Sequence, residues 1–232
     1  MLIFVDYEHA DAHGDEFGER MLAARTRITY RLEDLAGSPC HLVRYDRIDV
    51  ALLDRLGATA IFISGNSRDP SSYEPERLDP IHAIVRQTPL PVVGFCGGFQ
   101  LIAQALGAPV VPLDADRVAE TDPTIVTLGD GRPFEYGYHP IDVADGADRH
   151  PLLTDLGEHP VFRHAHGLHV PGPPAGFETL ASTASTPVQL AVHDERRIVG
   201  TQFHPEYWTD EHPDGRSLVE NFLDWSGLRA RE

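Results

Sequence analysis

The chain has 232 residues, 41% of them hydrophobic, and a formal net charge of -17. This length and apolar fraction can bury a sizeable core, while the acidic balance argues against nucleic acid or an anionic membrane surface as the main partner. All 19 Lys-or-Arg positions are arginine, which removes a Schiff-base lysine and a GxxxxGK[ST] phosphate loop from consideration.

Residues 2–5, LIFV, form a short apolar run that predicts a buried parallel strand. The apolar run ends at Asp6 and is too short for a signal peptide or a membrane span, so the expected setting is the cytoplasm. Two cysteines without paired spacing, Cys40 and Cys96, fit a reducing compartment. Residues 6–16 are polar and read as a loop, and 17–37 carry helical spacing that stops at Gly37. A strand follows at 41–45, a short helix at 49–57, a third strand at 59–64, a helix at 78–87 and a fourth strand at 91–95. This alternation predicts a doubly wound, mostly parallel sheet with helices on both faces. From 124 to 204 the pattern changes to short strands divided by Gly, Pro and Asp turns, and 215–227 close as an amphipathic helix. No repeat or long linker divides the chain, so 1–232 reads as a single domain.

The fourth strand runs into Gly94-Phe95-Cys96-Gly97-Gly98, the G-x-nucleophile-x-G form of a nucleophile elbow. Such a turn puts a sulfur at a helix N-terminus, where the dipole and free N–H groups favour a thiolate. It also aims the Gly97 N–H at a reacting carbonyl. The alternative is a small buried hydrophobe at a strand end, and the elbow by itself leaves both readings open.

A nucleophilic cysteine needs a base, and the base needs a carboxylate. GTQFHPEYW (200–208) supplies His204 at a strand end and Glu206 two residues on, on the same side of an extended chain. Together, G-F-C-G-G-F-Q (94–100) and Q-F-H-P-E (202–206) resemble the two motifs of the class I, triad-type glutamine amidotransferases. IFISGN (61–66), FEYGYHPIDV (134–143) and VFRHAHGLHV (161–170) resemble further segments of that family.

The resemblance implies a flavodoxin-like, stand-alone amidotransferase domain with Cys96, His204 and Glu206 as its triad. It implies an oxyanion hole from Gly97 and the Gly65-Asn66 turn, and substrate contacts at Gln100, Ala165, His166 and Gly167. The expected chemistry is hydrolysis of the glutamine side-chain amide through a γ-glutamyl thioester on Cys96. Ammonia would pass to a separate synthase subunit that activates the acceptor. No metal and no cofactor are implied.

Asn66 and Ser67 stand where the family has Gly-Pro, and Ala165 where it often has serine. A γ-glutamyl hydrolase acting on γ-glutamyl amides or peptides is the competing reading, since it uses the same thioester and needs no partner. A cysteine α/β-hydrolase is disfavoured because its acid precedes the histidine. Two histidine groups, His164/His166/His169 and His9/His13, are alternative metal-binding surfaces. The segment 6–37 is expected to shape a partner surface.

Overall fold

The first strand, β1 (Leu2–Asp6), is buried along its whole length, as a strand covered on both faces must be. In the computed structural model, which describes residues 1–14, 16–114 and 124–229, chain order continues through α1 (Glu16–Ala36), β2 (Cys40–Arg44), α2 (Val50–Leu56), β3 (Ala60–Ile63), α3 (Pro75–Gln87), β4 (Val92–Phe95) and α4 (Gly97–Ala105). Shorter strands follow: β5 (Val111–Pro112), β6 (Ile125–Thr127), β7 (Pro133–Pro140), β8 (Asp142–Val143), β9 (Val161–His166) and β10 (Leu168–His169). The chain ends with β11 (Glu178–Ser182), β12 (Leu190–His193), β13 (Ile198–Thr201) and α5 (Asp214–Trp225).

The main sheet has eight strands in the order β2-β1-β3-β4-β13-β12-β11-β8. Pairing is parallel from β2 to β13 and antiparallel from there to β8. The mostly parallel sheet with helices on both faces is therefore present, extended by an antiparallel edge. A three-stranded sheet β6-β7-β9 and a two-stranded pair β5-β10 lie apart from it.

Alternation along the strands sorts the core into two layers. Leu2, Phe4 and Phe62 pack with Ile28 and Leu32 of α1 and Leu218 and Phe222 of α5. Ile3, Val5, Ile61 and Ile63 pack with Leu53 of α2, Ile81 and Ile84 of α3, and Leu101 of α4. Each such side chain contributes about 1.5–3 kcal/mol by leaving water. Local signals set the helix ends: the Asp49 side chain accepts from the Leu52 N–H at 2.6 Å, and Gly57 closes α2 at φ 59°.

Residues 6–16 depart from the polar loop expected. Tyr7, Glu8 and Ala12 are buried and Ala10–Gly14 forms a 3-10 turn; Asp15 lies outside the described residues. The stretch is tied inward because Glu8 accepts the Ser67 N–H at 2.8 Å.

Candidate active site

Three neighbouring parallel strands, β3, β4 and β13, end together, and the loop after each supplies one part of a site. Ile63 is paired with Gly94, and Phe95 with Thr201. The residues just beyond them, the Gly65 turn, Cys96 and the segment to His204, therefore converge at the carboxyl edge of the sheet, where open α/β folds bind ligands. The Cys96 N–H donates to the Thr201 carbonyl at 2.6 Å, locking the two strand ends.

Cys96 sits at φ 50°, ψ -106° between β4 and α4, a strained position that costs about 1–3 kcal/mol. The flanking glycines make the turn possible. A Cβ on Gly94 would lie 2.5 Å from the Gly98 carbonyl carbon, and one on Gly98 would overlap the Ile63 carbonyl oxygen. The sulfur itself is 3.9 Å from the Ala165 carbonyl oxygen and 3.7 Å from Gln202 Nε2.

His204 and Cys96 stand side by side against the Gly65 turn, where an added Cβ would lie 3.6 Å from His204 Nε2 and 3.5 Å from Cys96 Cβ, and His204 Nδ1 lies 2.8 Å from Glu206 Oε1. Burial lowers the His204 pKa, but the charges of Glu206 and Cys96 outweigh that effect and lift it from 6.5 to about 10. The imidazole is therefore a cation at neutral pH. Glu206 is fully buried, and its backbone carbonyl accepts from Arg31 Nη1 at 2.9 Å. Cys40, at the start of β2, stands in a different setting: burial and then Glu33 push its thiol up to about 12.

A cavity of about 690 Å3 opens over this edge, bounded by Cys96, His204, Gln100, Ala165, Gly167 and Asn66 among others. Asn66 N lies 3.0 Å from where a Gly97 Cβ would stand, so the two expected oxyanion donors are neighbours. Gln100 borders the cavity, and its Nε2 donates to the Leu168 carbonyl at 2.9 Å. His166 also borders the cavity, but its ring turns away: Nε2 lies 2.6 Å from Glu135 Oε2.

Glu135, His164 and His166 have donor atoms close enough together to hold a metal, whereas His169 is not in that group. Yet the Glu135 carboxylate is already filled by protein donors: Thr183 at 2.8 Å, Gln189 at 2.7 Å, and Ser185. His164 Nδ1 stands 3.3 Å from it. Burial would raise the Glu135 pKa, but His164 and His166 hold it far below the usual carboxylate range. The donor set fits a buried polar platform under β9. His9 and His13 each face one aspartate, Asp11 and Asp6, at 3.6 and 3.3 Å.

Two functional candidates escaped the sequence reading. Arg163 borders the cavity, lies over the rings of Tyr136, Tyr138 and Tyr207 at 5.2–6.0 Å, and has no carboxylate partner among the described residues. Its alternation with Ala165 on β9 was the available signal. Arg25 is buried on the apolar stripe of α1 with Ile28 and Leu32, and an arginine at such a position always needs partners.

A strained cysteine elbow with a charged imidazole and a buried carboxylate, at the carboxyl edge of a flavodoxin-like sheet, defines the α/β enzymes that work through covalent cysteine chemistry. The model of the family "Glutamine amidotransferase class-I" matches residues 24–225, and the chain belongs to that family. It is 35% identical over 173 residues to a glutamine-hydrolysing GMP synthase of Mycobacterium marinum, covering 74% of this chain and 28% of that protein. A GMP synthase of Symbiobacterium thermophilum is 31% identical over 167 residues, with 72% and 28% covered. The aligned part thus spans little more than a quarter of these relatives. Among solved structures, a putative GMP synthase subunit of Thermoplasma acidophilum superposes with TM-score 0.70 at 24% identity, covering 98% of this chain and 94% of the other. The glutaminase domain of Trypanosoma brucei CTPS, with bound acivicin, gives 0.67 at 14% identity, covering 100% and 96%. Among the described residues no helix is long and apolar enough to cross a membrane.

Proposed function

We propose that this class I glutamine amidotransferase hydrolyses the glutamine side-chain amide through a γ-glutamyl thioester on Cys96 and hands the ammonia to a synthase partner. The observation that carries the reading is His204, set beside Cys96 against the Gly65 turn and 2.8 Å from Glu206 on its other side. The Cys96 thiolate attacks the amide carbon, and the carbonyl electrons move to an oxyanion met by the N–H groups of Gly97 and Asn66. The tetrahedral species collapses as His204 gives its proton to the leaving ammonia. Neutral His204 then takes a proton from water, which attacks the thioester, and glutamate leaves with the sulfur restored. Glu206 keeps the ring oriented and its charge supported throughout.

Gln100, Ala165, His166 and Gly167 border the cavity in which the substrate would sit. Arg163, which has no carboxylate partner among the described residues, supplies a positive charge for its α-carboxylate. Because the GMP synthase relatives extend far beyond the matched segment, a nucleotide-amidating synthase is the first partner class to test. Phe17 and Tyr136, each 49% exposed at the cavity mouth, offer that partner an apolar seat. The setting we assign is the cytoplasm, consistent with two free thiols. We also infer one domain over 1–232, since strands from both ends of the chain share the main sheet.

One observation favours the second reading, a γ-glutamyl hydrolase: a cavity of about 690 Å3 is in the range that takes drug-sized ligands, about 300–1,000 Å3. Glutamate release from glutamine and from γ-glutamyl amides, measured without any partner, separates the two. Turnover of glutamine supports the amidotransferase; turnover of conjugates alone overturns it in favour of the hydrolase.

A further inference from the structure

Arg25 is 1% exposed, in the middle of α1. A guanidinium is tolerated there only when its donors are used and its charge is paired. Its Nε donates to Asp6 Oδ1 at 3.0 Å, and Asp6 is itself 2% exposed at the end of β1. The other Asp6 oxygen lies 3.3 Å from His13 Nε2. Arg25 Nη2 donates to the Gly65 carbonyl at 2.7 Å, and Ser64 Oγ donates to the same oxygen at 2.8 Å. One backbone carbonyl beside the nucleophile thus receives two hydrogen bonds, one of them from a buried cation.

That carbonyl belongs to the Gly65-Asn66 peptide. In a trans, planar peptide the C=O and N–H point in opposite directions, and no cis bond is present among the described residues. Holding the carbonyl toward Arg25 therefore turns the Asn66 N–H toward Gly97, beside which Asn66 N is found. Glycine gives its own peptide wide rotational freedom, and no proline follows to restrict the turn. The next links are anchored as well: the Ser67 N–H donates to Glu8 Oε2 at 2.8 Å, and Asn66 Nδ2 donates to Tyr73 Oη at 3.1 Å. A charge-assisted bond to the carbonyl also polarises the peptide and makes its N–H a stronger donor.

We infer that Arg25, held by Asp6, is a positioning residue for acyl transfer, aiming and polarising the Asn66 N–H toward the oxyanion formed when Cys96 attacks a γ-glutamyl amide. The inference rests on the reading of Cys96 as the γ-glutamyl acceptor. Arg25 Nε and Nη2 are spent on Asp6 and Gly65, and because the residue also borders the cavity, an unchanged KM is the readout that separates positioning from direct substrate contact.

The test compares wild type with Arg25→Lys and with the double variant Arg25→Met/Asp6→Asn, which leaves no unpaired charge in the core. Near-UV circular dichroism checks folding. Steady-state hydrolysis is followed on whichever γ-glutamyl amide the wild type turns over, and iodoacetamide alkylation of Cys96 is followed in parallel. Alkylation at a saturated carbon develops no oxyanion, so it reports the thiolate alone. The folded double variant is expected to lose about 10- to 100-fold in kcat, less than the roughly 10²–10³ for deleting a donor outright. Its KM and alkylation rate should stay close to wild type, and Arg25→Lys should recover part of kcat. A folded double variant with wild-type kcat overturns the inference, as does a parallel fall in kcat and alkylation. A wild type that turns over no γ-glutamyl amide overturns the reading of Cys96 and this inference with it.

Discussion

Replacing Glu206 by glutamine keeps the size of the side chain and an acceptor oxygen, and removes one buried charge. In the wild type that charge lies 2.8 Å from His204 Nδ1. At an effective dielectric of about 20, two unit charges at that distance attract by about 6 kcal/mol. Burial opposes it, Cys96 adds to it, and the balance raises His204 from 6.5 to about 10; this rise corresponds to about 5 kcal/mol. Without Glu206 the burial effect prevails, and the imidazolium is expected to lose its proton below pH 7. The proton is what the leaving ammonia needs, so the sign is clear: the alkaline limb of the kcat profile moves down from near pH 10 by about three units. At pH 8 a limb lowered to about pH 7 leaves about a tenth of the imidazole protonated, so kcat should fall about tenfold there and further at higher pH. KM should change little, because Glu206 is buried outside the cavity lining. The assay is glutamate release from saturating glutamine between pH 6 and 10.5. A Glu206→Gln variant with an unmoved alkaline limb and near-wild-type kcat would refute the assignment of Glu206 as the group that keeps His204 charged.

Other consequences are as direct. At pH 8, iodoacetamide followed by peptide mapping should modify Cys96 and spare Cys40, whose thiol is pushed up to about 12; faster labelling of Cys40 contradicts the assigned environments. Gly98→Ala forces a methyl group onto the Ile63 carbonyl oxygen, and overpacking of this kind costs about 1–3 kcal/mol. A thermal melt should show a clear drop in Tm, and an unchanged Tm would show that the elbow tolerates a side chain there. Arg163→Met should raise KM for glutamine about tenfold or more, the worth of a hydrogen bond to a charged group, with a smaller effect on kcat. A fall in kcat at constant KM would place Arg163 elsewhere in the reaction.

The parallel half of the fold was legible because each strand buried on both faces is a continuous apolar run, as in Leu2–Val5 and Ala60–Ile63. The helix ends at Gly37 and Gly57 were marked by glycines with φ 61° and 59°. The second half announced strands but not their partners. Pairing of β7 with β9, which brings Glu135 opposite His166, joins segments about thirty residues apart and depends on packing that no local pattern carries. β5 has two residues and, among the described residues, pairs with β10 alone, so it left no periodic signal. In the site, Cys96, His204 and Glu206 stood in short motifs at strand ends, and the structure brings all three together. Arg25 and Asp6 were invisible because a helix arginine is ordinarily solvent-exposed, and its burial arises only when β1 and β3 lie side by side. His166 was expected as a substrate contact; the residue borders the cavity, but its ring Nε2 lies 2.6 Å from Glu135 Oε2.

The central claim is a γ-glutamyl thioester at Cys96. It is tested most directly by mass spectrometry of the protein after treatment with a glutamine-analogue diazo-ketone, with excess glutamine as competitor. One adduct is expected, mapped to Cys96, suppressed by glutamine and absent from Cys96→Ser, which should also have no glutaminase activity. Glutamine hydrolysis that survives in Cys96→Ser, or an adduct mapped to Cys40, would contradict it.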